Sequence, residues 1–382
     1  MVLATIVLPW TTLSFANEQN VTNSSAVSYT DDHVEFVKAV FSGKKETVKA
    51  FLDKGVSPDL QNEKGFTPLM IASQFGYDDI VDMLLEKKAH LNIQNKGGAT
   101  ALIVAAKNGH QKIVEKLLAK DAQTSLQTTE GVSALMVAAQ QGYDDIVDAL
   151  LAKNVNVNLQ TKDKVTALMI ASLDGKSSIV DKLLAKNAKI ELQASDGTTA
   201  LYMAARNGHT SIVKTLLDRQ APIDLIAANQ TNPLHVAAQN GYIEIVNALL
   251  KSGIKIDQPD KNGATPLTLA ALVGQVEVVD ILLNHGAQIN HKARNGFTPL
   301  ILAAQNGQTP VIQTLLKNGA QIDLQNDDGI TALMWAALHD HAEAVKLLLE
   351  QGADSSIKSK NGKTAQDIAR DDGIIALLKG AD

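Results

Sequence analysis

Three stretches of this chain carry residue types that could do chemistry. Asp174-Gly175-Lys176-Ser177 and Gly362-Lys363-Thr364 end like a phosphate-binding loop, in which backbone N–H groups cradle phosphate, the lysine reaches it and the hydroxyl holds magnesium. That loop needs another glycine five residues before its Gly-Lys, and Ile170 and Ile357 stand there. Asp323 to Gly329 is acidic enough for a calcium loop. Counting from Gly329, however, puts Leu324 where the first carboxylate belongs and Trp335 where the closing glutamate belongs. His339-Asp340-His341 is the close histidine pair, and a metal would need at least one further placed ligand. No His-Glu-x-x-His occurs and nothing marks a Ser/His/Asp set. With no cysteine there is no thiolate metal site, thiol nucleophile or disulfide. The residues therefore assign no catalytic site, no cofactor and no metal.

What positions these stretches is a repeat. Thr67, Thr100, Ser133, Thr166, Thr199, Asn232, Thr265, Thr298, Thr331 and Thr364 follow one another at steps of 33 residues, without insertion or deletion. Such a period means a stack of near-identical units and not one closed core. In residues 62–94, Gly65 permits a tight turn, Thr67 is an N-cap and Pro68 suits the first helical position. Leu69, Ile71 and Ala72 face inward until Gly76 ends this first helix. Ile80, Val81, Leu84 and Leu85 recur at the spacing of a second amphipathic helix, and an extended segment, His90 to Gln94, leads to the next turn. The pairs Ala105-Ala106, Ala138-Ala139, Ala204-Ala205 and Ala237-Ala238 let neighbouring helices approach closely. The histidines outside 339–341 scatter among different repeat positions.

The boundaries follow from this register. Residues 1–16 carry no charged side chain, and Ser14 and Ala16 precede a possible cut before Asn17, as in a secretory signal peptide. Residues 17–30 are polar and read as a flexible linker, 31–61 as an N-terminal capping unit, 62–358 as nine full units and 359–382 as a C-terminal capping unit. A net charge of −6 with no Lys/Arg block argues against nucleic acid and against a polybasic membrane contact. No membrane insertion of the mature chain is expected. The chain is read as exported, periplasmic or secreted, if 1–16 is cleaved, and as cytoplasmic otherwise.

Gly-x-Thr-Pro-Leu, then Ala-Ala, Gly and Ile-Val-x-x-Leu-Leu at this period resembles the ankyrin repeat, and residues 260–292 are the fullest copy. The resemblance implies an all-α solenoid, an ankyrin-repeat stack with a β-turn and two antiparallel helices per unit. It also implies finger turns beside a concave groove, a protein partner and a monomer. The departures carry expectations of their own. The histidine usual after Thr-Pro-Leu occurs as His235, where other units have Met70, Met136, Met169 and Met334. The glycine closing the second helix is replaced by Lys88, Asp121, Asn154, Asn187 and Gln220, so the N-terminal half should be the less stable one. The finger glycine is lost at Lys164 and Gln230, so those turns should differ in shape.

In this family fingertips and the exposed face of the first helix commonly contact proteins. Here the finger positions hold Phe66, Val132, Val165, Phe297 and Ile330, and the first-helix face adds Phe75, Leu173, Arg206, Leu272 and Leu338. Either these bind a partner, or several tuck against neighbouring fingers and finish the packing. Tyr77, Tyr143 and Tyr242, where second helices begin, read as structural. The favoured function is a non-enzymatic protein-interaction scaffold. The alternatives are a secreted effector that binds a host protein and a metal-dependent or enzymatic accessory protein.

Overall fold

The structure is a computed structural model that describes residues 31–380. The signal-peptide and linker readings, residues 1–16 and 17–30, lie outside the described residues. Among the described residues the chain forms helices and turns and no strand. It divides into two compact units. One comprises the described residues up to Ala171 with Lys176–Lys189, the other Ser172–Gly175 with the described residues from Ile190 onward.

The first helix pair is α1 (Asp31–Phe41) and α2 (Lys45–Asp53). Then come α3 (Pro68–Phe75) with α4 (Asp78–Glu86), α5 (Ala101–Lys107) with α6 (Gln111–Ala119), α7 (Ala134–Gln141) with α8 (Asp144–Leu151), and α9 (Ala167–Leu173) with α10 (Ser177–Ala185). The series continues with α11 (Ala200–Arg206) and α12 (Thr210–Asp218), α13 (Pro233–Asn240) and α14 (Ile243–Lys251), and α15 (Pro266–Val273) and α16 (Val276–Asn284). It ends with α17 (Pro299–Gln305) and α18 (Thr309–Lys317), α19 (Ala332–Leu338) and α20 (Ala342–Glu350), and α21 (Ala365–Ile368) and α22 (Asp372–Lys379). Within each compact unit, first helices pack on first helices (α3 on α5 on α7; α11 through α19) and second helices on second helices (α4 on α6 on α8; α12 through α20). This is the all-helical solenoid of repeated helix pairs.

The caps form where the repeat puts them. Thr67 Oγ1 accepts from Met70 N at 3.2 Å, and Gly76 closes the helix at φ +74°. Ile80, Val81 and Leu84 of α4 are buried, and the alanine pairs are fully buried between first helices. A Leu at Ala105 would have to push two helices apart.

Each finger is a tight turn tied to the next. Asn62 N donates to Phe66 O at 3.0 Å, Gly65 N to Asn62 O at 2.7 Å, and Lys96 N of the following finger to Lys64 O at 3.0 Å. A glutamine six residues before the cap braces many of them: Gln94 Nε2 donates to Gly98 O at 2.7 Å and to Gln127 O of the next finger at 2.8 Å. Lys164 and Gln230 keep the same turn, at φ +58° and +65°, with Lys164 N on Thr161 O at 2.9 Å and Gln230 N on Ala227 O at 2.8 Å. The expected change of shape does not occur, because the turn's hydrogen bonds and the adjoining caps impose the left-handed conformation whatever the residue.

The same conformation is imposed at the ends of second helices. Lys88, Asp121, Asn154, Asn187 and Gln220 sit at φ between +52° and +61°, where later units place glycine. An L-residue there costs roughly 1–2 kcal/mol, less for Asn and Asp, partly offset because glycine stiffens the unfolded chain least. Lys88→Gly and Gln220→Gly should therefore each stabilise by roughly 0.5–1 kcal/mol in equilibrium unfolding. Amide exchange should be faster in the helices before residue 250 and should slow there in the double variant. Slower exchange before residue 250 than after it in the unaltered protein would contradict this.

Candidate protein-binding face

The residues proposed from the repeat register separate by burial. Phe66, Val132 and Val165 are buried, so these three finger side chains finish the packing and present no contact surface. These three follow the second of the two readings, packing against their neighbours, and not the partner-contact one. A residue just before an N-cap points wherever the adjoining finger leaves room, and its sequence position does not reveal that. Phe297 and Ile330 are half-buried, as are Leu173, Arg206, Leu272 and Leu338 on the first helices. Phe75 is 38% exposed, lying edge-on to Phe41 at 5.0 Å between centroids and stacked on Tyr77 at 5.7 Å.

The structure adds side chains the sequence reading passed over. Val273, the neighbour of Leu272, is 39% exposed. Trp335 is half-buried in α19; its ring lies 5.5 Å from Phe297 and stacks on His339 at 5.4 Å, and His339 in turn stacks on His341 at 6.2 Å. Four residues after the cap, every unit from residue 62 onward has an apolar residue: Ile71, Val104, Val137 and Ile170 are buried, and Leu269, Leu302 and Trp335 are half-buried. That series was the signal that could have found Trp335.

The histidines are less scattered than the sequence suggested. His110, His209 and His341 share the position ten residues after the cap, with Tyr77, Tyr143 and Tyr242. Side chains there lie against the glycine that ends the preceding first helix: Tyr77 on Gly43, His110 on Gly76, Tyr143 on Gly109, His209 on Gly175. Several also bond the carbonyl beside that glycine. Tyr77 Oη donates to Phe41 O at 3.3 Å, and the Nε2 atoms of His110, His209 and His341 lie 3.0, 2.9 and 3.1 Å from the carbonyls of Gln74, Leu173 and Gln305. These rings latch unit to unit. Among the described residues no three His, Asp or Glu side chains are grouped to hold a metal ion.

Among the helices, charge lies mainly on the second ones. Lys116 of α6 bridges Asp78 and Asp82 of α4, each at 2.7 Å, and Lys182 of α10 bridges Asp144 and Asp148 of α8 at 2.7 and 2.8 Å. The first helices α3, α7, α9, α13, α15, α17 and α19 contain no Asp, Glu, Lys or Arg. Lys107 in α5 is an exception, and burial lowers its pKa.

A family model described as ankyrin repeats (3 copies) matches residues 36–128, 120–194, 168–260, 234–326 and 310–382. The chain belongs to the ankyrin-repeat family. Its fold is a non-catalytic protein-interaction scaffold, and the protein is accordingly non-enzymatic. No curated protein matches the chain. No helix among the described residues is long and apolar enough to cross a membrane.

Proposed function

We propose that this protein is an exported scaffold that holds a partner protein along its first-helix face. The observation that supports this is the absence of charge from most first helices. Half-buried and exposed apolar side chains (Leu272, Val273, Leu338) lie on first helices without Asp, Glu, Lys or Arg, whereas the second helices mix exposed apolar side chains such as Val276 with charged ones such as Glu277. A pre-formed face of this kind binds with little ordering cost, through a few apolar anchors. Leu272→Ser with Leu338→Ser should weaken partner capture at least about tenfold while shifting the thermal midpoint by only a few degrees. Unchanged capture with unchanged folding would refute the face. Export rests on the uncharged residues 1–16 and on Ser14 and Ala16. Mass spectrometry of the protein from its own cell should find an N-terminus at Asn17, and an intact Met1 in the cytosolic fraction would refute export.

A further inference from the structure

From α13 through α19 the four first helices carry no Asp, Glu, Lys or Arg, and Arg206 of α11 and Asp367 of α21 bound this stretch on either side. Its partly exposed apolar side chains are Leu269, Leu272, Val273, Leu302, Trp335 and Leu338. The finger turns beside it hold charges of both signs, such as Asp260, Lys261, Arg294 and Asp327, so the rim has no single-sign field. A charge laid on such a floor would lose part of its water and find opposite charges only out at the solvated rim, whereas an uncharged apolar chain loses little and gains buried area. Trp335 is the one aromatic in the row four residues after the cap, backed by Phe297 and His339, and a supported tryptophan is the usual centre of a binding hot spot. Packed helices lie about 8–10 Å apart, so four of them span about 24–30 Å between outer axes and, with one helix width of about 10 Å added, about 35–40 Å across, the length of about 11–12 extended residues.

We infer that this face takes an extended, uncharged, apolar segment of a partner protein, about a dozen residues long, anchored on Trp335. The inference rests on the scaffold reading above and specifies the chemistry of its partner. Synthetic twelve-residue peptides of Leu, Val, Thr and Gln, and matched peptides with four positions changed to Glu or to Lys, test it by titration into the full chain at ~0.05 and ~0.5 M salt. The uncharged peptide should bind at least about tenfold tighter than either charged one, with less than about a twofold change in Kd across the salt range. Leu272→Gln and Leu338→Gln should each weaken it at least about fivefold while shifting the thermal midpoint by only a few degrees. Tighter binding of a charged peptide, or a steep fall with salt, overturns the inference. If the Leu variants still weaken that binding, the scaffold face itself stands. Failure of every peptide, or variants that bind as the unaltered protein does, overturns both. Dimerisation of the chain that the peptide competes away would identify a second copy as the occupant and also overturn the inference.

Discussion

Between pH 6.5 and about 4 the protein should lose about 3 kcal/mol of stability through one side chain, His235. The ring is fully buried in α13, with Nε2 3.2 Å from Ala264 O and Nδ1 2.7 Å from Asn232 Oδ1. Burial pushes its pKa down to about 4, against partial opposition from Ala264 O and Asp260. At pH 7 folded and unfolded chains both hold the ring neutral, and the stability is fully present. As the pH falls below 6.5 the unfolded chain takes a proton that the folded one refuses until about 4, so stability is lost across that window and levels off below it. Each pKa unit is worth about 1.4 kcal/mol, which sets the size. The carboxylates whose pKa values are lowered by partners, Asp53, Asp79, Asp144, Asp354 and Asp367, lose their contribution only from the ordinary carboxylate range downward. His90 works in the opposite sense, because Asp59 raises its pKa, but it is exposed and screened. In a stacked protein the loss should show as local opening of α13 and its neighbours as well as in global unfolding. His235→Met, the residue other units use at this place, should flatten the slope between pH 6.5 and 4.5. An unchanged slope would show that His235 is not its source.

The second large effect separates two reasons for glycine. Gly98 in a finger and Gly253 at the end of a second helix share the left-handed conformation, at φ +77° and +84°. A Cβ on Gly253 would meet nothing within 4 Å, whereas one on Gly98 would lie 2.6 Å from Thr129 N and 2.8 Å from the Thr128 backbone. Gly253→Ala should cost roughly 0.5–1 kcal/mol, the backbone strain less the unfolded-chain offset. Gly98→Ala should cost roughly 2–5 kcal/mol, because the next finger must move as well. Lys164 and Gln230 show that a finger can be built around a Cβ in this conformation, so Gly98→Ala should fold, with its damage confined to neighbouring fingers. Equal losses at the two sites would mean that close approach of the fingers contributes nothing.

Much of this was legible in the sequence, for a physical reason. The Thr series, the Pro and Gly punctuation and the Ile-Val-x-x-Leu-Leu spacing act locally, within one helix pair, and a strict period repeats the signal. Relations between units were harder to read. Tyr77, His110, Lys176 and Gln275 all cover a preceding glycine from one position, and the mixture of Tyr, His, Lys and Gln there conceals a shared role that only the packing shows. Phe66 and Phe297 share a position, yet one is buried and the other half-buried, because the neighbours differ. Trp335 was hidden for the same reason: its row is apolar in every unit from residue 62 onward, and only the structure shows where that row opens.

The claim that the first-helix face holds the partner is tested most directly by placing a photo-reactive amino acid at Leu272 in α15 or at exposed Glu277 in α16, in the cell that makes the protein. A cross-link to one protein from position 272, and none from 277, is the predicted result. A cross-link from 277 and none from 272 would contradict the account and place the interaction on the charged second helices.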